Sequence, residues 1–559
     1  MNPRMSTSPV TAESLSVNWS TLWDGIAQAL PDRPAVISGG QTTTYRQLES
    51  NSARLATTLA RHGIGPGTKV AVYLYNRPEY LETIYAALKL GAVPVNINFR
   101  YRAAELAALI LGSDSEALIY PTSLSEHVVA AMKVADLSRL LLIQVDDAPG
   151  PLVAGAILFS ETQKSDPLGH RQLSGEDEIF IFTGGTTGLP KAVVYQLGAL
   201  FDAQSYSTYG ILGLAVPQTI DEVVATAADP RTPTPKVLPI TPLMHAMAMF
   251  NVMNTLLLGG TVVLLGQANF DARQALRAVE EHGVTRIIIA GNAVSGPLVD
   301  ELDRGRELGT PYDVSTVGSI MSSGMLWSDQ FKAGLFRHLT AQLLDIVGST
   351  EGGPFAYSVV ESADGLPSTL RLAQGAVVLN LHDKEFPPNA TGVGLLAYRG
   401  KMPLGYYRDP VKTAEVYRTI GSVRYVVPGD FVRLEADGTV EFLGRGSSVV
   451  NSGGEKVYPA EVEEAILSHP AISDCVVFGS PDPRWGEVVT AAVVPKPGST
   501  IAIADVTAYL EGMLAGYKRP RLLSVVDSLS RSPTGKVSVP DLRRRLATLA
   551  QTQGDDRAN

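Results

Sequence analysis

Along the first half of the chain, apolar positions alternate between a helical and a strand rhythm. Tyr45–His62 repeats its apolar residues at helical spacing and stops at Gly63, and Lys69–Leu74 is short and strand-like. Pro78–Leu90 is helical again, closed by Gly91, and Val93–Ile97 is a second strand. Strands alternating with helices predict a mostly parallel sheet covered by helices. The rhythm returns later: Asp271–His282 is an amphipathic helix, Arg286–Ile289 a strand and Val294–Leu302 a helix. A second βα layer of the same kind is expected.

Near residue 390 the texture changes. Thr391–Tyr398, Val423–Val427 and Val432–Glu435 read as short strands separated by Gly, Pro and Asp, which predicts a small β-rich subdomain. Beyond Gly444-Arg445, a helix (Ala460–Ser468), strands (Asp474–Phe478 and Val488–Val494) and another helix (Ala504–Ala515) predict a small α+β unit. The expected fold class is therefore α/β: a large N-terminal domain over residues 1–446, made of two βα-layered subdomains and the β-rich one, then an α+β C-terminal domain over 447–550. Residues 551–559 form a polar tail expected to be disordered.

Composition narrows the classes. At 559 residues, 45% hydrophobic and 18% charged, the chain has the makeup of an ordinary globular protein with more than one core. A net charge of −10 disfavours a nucleic-acid partner. One cysteine, Cys475, excludes an internal disulfide framework, and its place in the run Cys475–Phe478 predicts a buried structural thiol. No apolar stretch is long enough to span a membrane, and a cytoplasmic enzyme is the default expectation. A homodimer is left open.

The most informative stretch is Phe182-Thr183-Gly184-Gly185-Thr186-Thr187-Gly188-Leu189-Pro190-Lys191-Ala192, lying between the strand-like runs Ile179–Phe182 and Ala192–Tyr195. Glycines let a turn aim its N–H groups inward, and hydroxyls with an ammonium around such a nest suit a polyanion. It is not a Walker loop: Pro190 precedes the lysine, Ala192 follows it, and no helix begins there. Taken alone, a Gly/Thr loop would usually be a flexible surface loop, and the lysine and the rest of the chain argue against that here.

These residues resemble the phosphate-binding signature of the adenylate-forming superfamily, which includes acyl-CoA synthetases, luciferases and peptide-synthetase adenylation domains. The usual pattern is Thr-Ser-Gly-Ser/Thr-Thr-Gly-x-Pro-Lys-Gly, and this chain departs from it at Gly184 and Ala192. Further segments match in the same order, from about Trp23 to about Leu546. The resemblance implies that Thr183, Gly184, Gly185, Thr186, Thr187, Gly188 and Lys191 hold ATP phosphates. It implies that Ser323 and Gly324 border adenine, with Val347, Gly348, Ser349 and Thr350 beside them. Val347 stands where an aromatic residue is usual. Glu351 would hold Mg²⁺, with the Thr183 hydroxyl as partner. Asp430 would read the ribose hydroxyls, with Arg445.

The same resemblance gives His245 a gating role at the acyl pocket, lined also by Met249, Gly324 and Met325. It places the hinge of a mobile C-terminal domain at Ser447, where Asp or Lys is usual. Gly453, Gly454 and Glu455 would help build the coenzyme A tunnel. Lys536, in Pro533-Thr534-Gly535-Lys536, would bridge the attacking carboxylate and the α-phosphate. The implied reaction is ATP-dependent activation of a carboxylic acid as acyl-AMP, then transfer to coenzyme A. Asn96–Tyr101 and Asn451–Pro459 look most like actinobacterial acyl-CoA synthetases, some of which act on fatty acids and some on steroid side-chain acids. Met244, Met247, Met249 and Met253 beside His245 favour a bulky lipophilic acid. No Asp follows His245 in Ala246–Phe250 to pair a substrate ammonium, which argues against amino-acid activation. A carrier-protein thiol as acceptor, and a non-catalytic nucleotide-binding protein, are the competing readings.

Overall fold

The computed structural model describes residues 15–183, 190–325, 327–445, 449–452, 455–482, 486–511, 513–514, 516–531 and 537–546. Three sheets organise them. The first has eight strands, with a parallel centre of Val93–Asn96, Lys69–Val72, Ser115–Pro121 and Leu141–Val145. On one side it continues into Glu178–Thr183, and Lys191–Gln196 folds back antiparallel to that strand. The two-residue strand Gly405–Tyr406 closes this edge against Val193 and Val194.

The second sheet has fifteen strands. Its parallel half runs Pro34–Ser38, Thr261–Leu264, Lys236–Pro239, Arg286–Ile289, Ser319–Ser323 and Gln342–Ser349. At Gly352–Val360 the chain turns back and the pairing becomes antiparallel, reaching Asp430–Leu434 and Thr439–Arg445 further along. The β-rich region expected to begin near residue 390 thus starts at Gly352, and its strands share a ladder with the second βα layer. Gly352-Gly353-Pro354 reads locally as a turn, which hides the strand that follows.

Local rules explain the helix limits. Thr44 and Gln47 form a reciprocal capping box at the start of Tyr45–Arg61. Asp271 accepts from the Gln274 N–H and caps Ala272–His282, which ends at Gly283 in the left-handed region. Pro78 fills the first turn of Pro78–Lys89, where no N–H partner is needed. Tyr45–Arg61 and Pro78–Lys89 bury residues such as Leu55 and Leu88 in one core, and Ala272–His282 buries Leu276 and Val279 in another.

Among the described residues no helix is long and apolar enough to cross a membrane. The C-terminal unit holds the third sheet, with Ile472–Asp482 and Gly486–Pro495 at its centre. Cys475 is buried there, and burial pushes its thiol well above the usual range, as suits a structural residue. Phe431 and Tyr458, 6.1 Å between ring centroids, pack this unit on the β-rich strands.

One buried carboxyl ties stability to pH. Glu82 is 5% exposed between the first two long helices and accepts from Asn51 Nδ2 at 2.8 Å. Burial pushes it up to about 7, with Glu79 adding to the rise and the Asn51 bond opposing it. The folded state thus binds a proton that the unfolded chain gives up near pH 4.5. Stability is full below that pH and falls as pH rises to about 7, on the order of 3 kcal/mol in all. Glu82→Gln keeps the amide partner and removes the titration. Its apparent melting temperature should match wild type near pH 5 and exceed it by a few degrees at pH 8. A pH-independent difference would contradict this assignment.

Candidate active site

Two antiparallel strands flank the glycine-rich stretch. Thr183 ends one strand, Lys191 begins the next, and the two are directly paired. Gly184, Gly185, Thr186, Thr187 and Gly188 lie outside the described residues. Lys191 Nζ forms an ion pair with Asp409 and lies 5.9 Å from the centroid of the Tyr406 ring. The ammonium holds the Asp409 carboxyl below its usual range. Asp409 also accepts from the Lys412 N–H, capping the helix Pro410–Val416.

The second sheet delivers Glu351 to the same place. The strand ending in Val347-Gly348-Ser349 turns through Thr350-Glu351 into the strand starting at Gly352. Three tyrosines fix this turn. Tyr195 donates to the Thr350 carbonyl at 2.6 Å, Tyr417 to the Glu351 carbonyl at 3.0 Å, and Tyr406 to Glu351 Oε1 at 2.7 Å. Burial pushes the Tyr195 and Tyr417 phenols up, so both stay protonated as donors. Tyr406 therefore links Lys191 of the first sheet to Glu351 of the second.

The remaining residues sit at nearby strand ends. Ser322 and Ser323, turn-formers by local preference, are the last residues of the strand Ser319–Ser323. Ser322 Oγ accepts from the Gly291 N–H at 2.9 Å, and Gly324 makes the turn at φ +82°. Likewise Val347, Gly348 and Ser349 are the last residues of the strand Gln342–Ser349. The Ser349 hydroxyl is buried and has no hydrogen-bond partner among the described residues. Val347 packs at the margin of the β-rich core. Asp430 is buried and pairs in register with Arg445, of which the backbone is described.

His245 occupies the N-cap position of the helix Ala246–Leu257, at the end of the loop after Lys236–Pro239, without a side-chain capping bond. Asn76 pins that loop from the first sheet, donating to the Pro239 and Thr241 carbonyls and accepting from the Leu243 N–H at 2.7 Å. Met249 is wholly buried in the main core, whereas Met247 is partly exposed and packs with Met321, Leu344 and Ile346. Met325 is half-buried, beyond Gly324. Ser447, Gly453, Gly454 and Lys536 lie outside the described residues, and Glu455 is described as backbone in a short strand.

Sequence reasoning missed Asp409, Tyr406, Tyr195, Tyr417 and Asn76. Asp409-Pro410 did carry a local signal, a capping aspartate before a first-turn proline. The tyrosines and Asn76 act across distant segments and leave no local trace. Among the described residues no group of three or more His, Cys, Asp or Glu gathers as a ready metal site.

The model for AMP-binding enzymes matches residues 24–407, and the model for the AMP-binding enzyme C-terminal domain matches residues 461–536. The chain is 36% identical to a medium/long-chain-fatty-acid–CoA/3-oxocholest-4-en-26-oate–CoA ligase of Mycolicibacterium smegmatis, covering 95% of this chain and 96% of that one. It is 34% identical to a 3-oxocholest-4-en-26-oate–CoA ligase of Rhodococcus rhodochrous, covering 95% of each. Its fold matches the crystal structure of the anthranilate CoA ligase AuaEII in complex with anthranoyl-AMP, with a TM-score of 0.80 at 19% identity over 96% of this chain and 98% of that one. The chain belongs to the AMP-binding enzyme family and is an AMP-forming acid–thiol ligase.

Proposed function

We propose that this chain activates a lipophilic carboxylic acid with ATP and passes the acyl group to coenzyme A. The single observation that carries the site assignment is the convergence of Thr183, Lys191 and Glu351 through Tyr406. A lysine and a hydroxyl at a hairpin tip, facing a carboxylate at a strand end of another sheet, suit a metal-bound polyphosphate. The orphaned Ser349 hydroxyl adds a polar group with spare bonding capacity at the same strand end.

Glu351 would hold Mg²⁺ together with phosphate oxygens, with Thr183 at hand, and the ion would neutralise charge on the leaving pyrophosphate. Lys191 and the glycine-rich loop hold that pyrophosphate. Asp430 accepts from the ribose hydroxyls, and Arg445 supports it. Ser323, Gly324, Val347 and Gly348 border the base. A carboxylate oxygen of the acid attacks the α-phosphorus, and the bond from that phosphorus to the bridging oxygen breaks. Lys536 bridges the attacking carboxylate and the α-phosphate. The C-terminal domain, residues 447–550, then turns about Ser447 and withdraws Lys536. The thiol of coenzyme A, guided by Gly453, Gly454 and Glu455, attacks the acyl carbon and releases AMP.

His245 stands between the two steps at the acyl pocket. Gly324 and Met325 line that pocket, and Met247 with its apolar neighbours Met321 and Ile346 is a better lining candidate than the fully buried Met249. No carboxylate stands in Ala246–Phe250, so nothing there selects an amino group. The names of the relatives point the same way, to medium- and long-chain fatty acids and a steroid side-chain acid.

A panel of short, medium and long fatty acids, aromatic acids and steroid acids, scored for AMP release with and without coenzyme A, tests this reading. AMP release should be strongest with lipophilic acids and should depend on coenzyme A. Release that never depends on coenzyme A would contradict the acceptor, and a preference for amino acids would contradict the substrate class.

A further inference from the structure

We propose that Tyr406 is a positioning residue that sets the Glu351 carboxylate for its cation. This rests on the assignment of Glu351 to Mg²⁺ and names the residue that makes the assignment work.

The turn at Thr350-Glu351 is held in two separate ways. Tyr195 and Tyr417 grip its backbone carbonyls, and Tyr406 donates to the side chain, at Oε1. A carboxylate on a turn has several rotamers, and a donor on one oxygen selects among them while the remaining lone pairs can still meet a cation. Tyr406 is itself held firmly. Its strand pairs with Val193 and Val194, and its N–H donates to Thr413 Oγ1 at 2.9 Å. The Thr413 hydroxyl in turn donates to the Asp409 carbonyl at 2.8 Å. Gly405 sits at φ +144°, and a Cβ there would lie 2.4 Å from Thr413 Cγ2, so only glycine allows this close approach. The Tyr406 ring meets the Tyr417 ring edge-on at 6.2 Å.

Three further contacts fasten the same segment to the first sheet. Tyr407 donates to Asp114 Oδ2 at 2.7 Å, and Arg408 pairs with the same carboxylate. Asp409 pairs with Lys191. The segment Gly405–Asp409 therefore touches both charged groups of the site, Lys191 through Asp409 and Glu351 through Tyr406. It fixes their spacing although they belong to different sheets.

Tyr406→Phe removes the hydroxyl and keeps the ring that packs on Tyr417. The probe is Mn²⁺ binding to enzyme saturated with α,β-methylene-ATP, followed by electron paramagnetic resonance. The half-saturation concentration should rise about ten- to a hundredfold in Tyr406→Phe, the loss expected for one hydrogen bond to a charged group. The Mg²⁺ concentration for half-maximal pyrophosphate exchange should rise in parallel, with the KM for the acid unchanged. Glu351→Gln should weaken Mn²⁺ binding more, and the double variant should bind no worse than Glu351→Gln alone, because Tyr406 acts through Glu351. A purely structural Tyr406 would lower the melting temperature and leave the Mn²⁺ midpoint unmoved. Wild-type Mn²⁺ binding in Tyr406→Phe, with Glu351→Gln impaired, overturns the role of Tyr406. Wild-type binding in both variants overturns the assignment of Glu351 and the proposal with it.

Discussion

Lys536→Ala should lower acid-dependent ATP–pyrophosphate exchange on the order of a thousandfold, about 4 kcal/mol of transition-state stabilisation. The attacking carboxylate and the α-phosphate are both anionic, and their approach develops more negative charge around phosphorus. An ammonium bridging them offsets that repulsion where water cannot. The effect is confined to one half of the reaction. Given preformed acyl-AMP, the variant should form the thioester within a few-fold of wild type, because the proposed mechanism withdraws Lys536 before the thiol attacks. Exchange at the wild-type rate would remove Lys536 from the mechanism. Equal losses in both halves would contradict the rotation about Ser447.

Lys191→Ala should lower kcat/KM for ATP several hundredfold, about 3 to 4 kcal/mol. Lys191 is paired with Thr183 where the two strands flanking the glycine-rich stretch meet, and on the proposed mechanism its ammonium offsets the charge that collects on the leaving pyrophosphate. Its stability contribution is expected to be small. The ion pair with Asp409 is well exposed, at 40% and 30% of the two side chains, and such pairs contribute little in water. The melting temperature should therefore stay close to wild type while activity collapses. A variant with near-wild-type kcat/KM for ATP would show that the hairpin binds something other than the triphosphate.

Much of the frame was legible because it is written locally. Arg286–Ile289 was read to the residue as a strand, being a β-branched run bounded by polar residues. Asp271 and Gly283 mark a helix start and stop by chemistry that works within one turn. The two strands flanking the glycine-rich loop were equally clear from their apolar residues, although their antiparallel pairing was not. What failed was whatever depends on a distant partner. Ser322, Ser323 and Ser349 are turn-formers by local preference, yet pairing with neighbouring strands keeps them extended, and Gly348 sits at the irregularity between the paired residues Val347 and Ser349.

The candidate site divides the same way. Lys191 and Glu351 stand out by motif. Nothing in the sequence says that residues 405–409 close the edge of the first sheet, because a two-residue strand has no periodicity to detect. The contacts made there span 55 residues from Tyr406 to Glu351 and 218 from Lys191 to Asp409. Asn76 is a similar case, a single amide that fastens the His245 loop of one sheet to a strand end of the other.

The central claim is that a carboxylate oxygen of a lipophilic acid attacks the α-phosphorus of ATP at this site. It is tested most directly by supplying a medium-chain acid with both carboxylate oxygens labelled with ¹⁸O, together with ATP, Mg²⁺ and coenzyme A, and weighing the nucleotide product. The account predicts AMP carrying one labelled oxygen, with unlabelled pyrophosphate. Unlabelled AMP, or label in inorganic phosphate beside ADP, would contradict it.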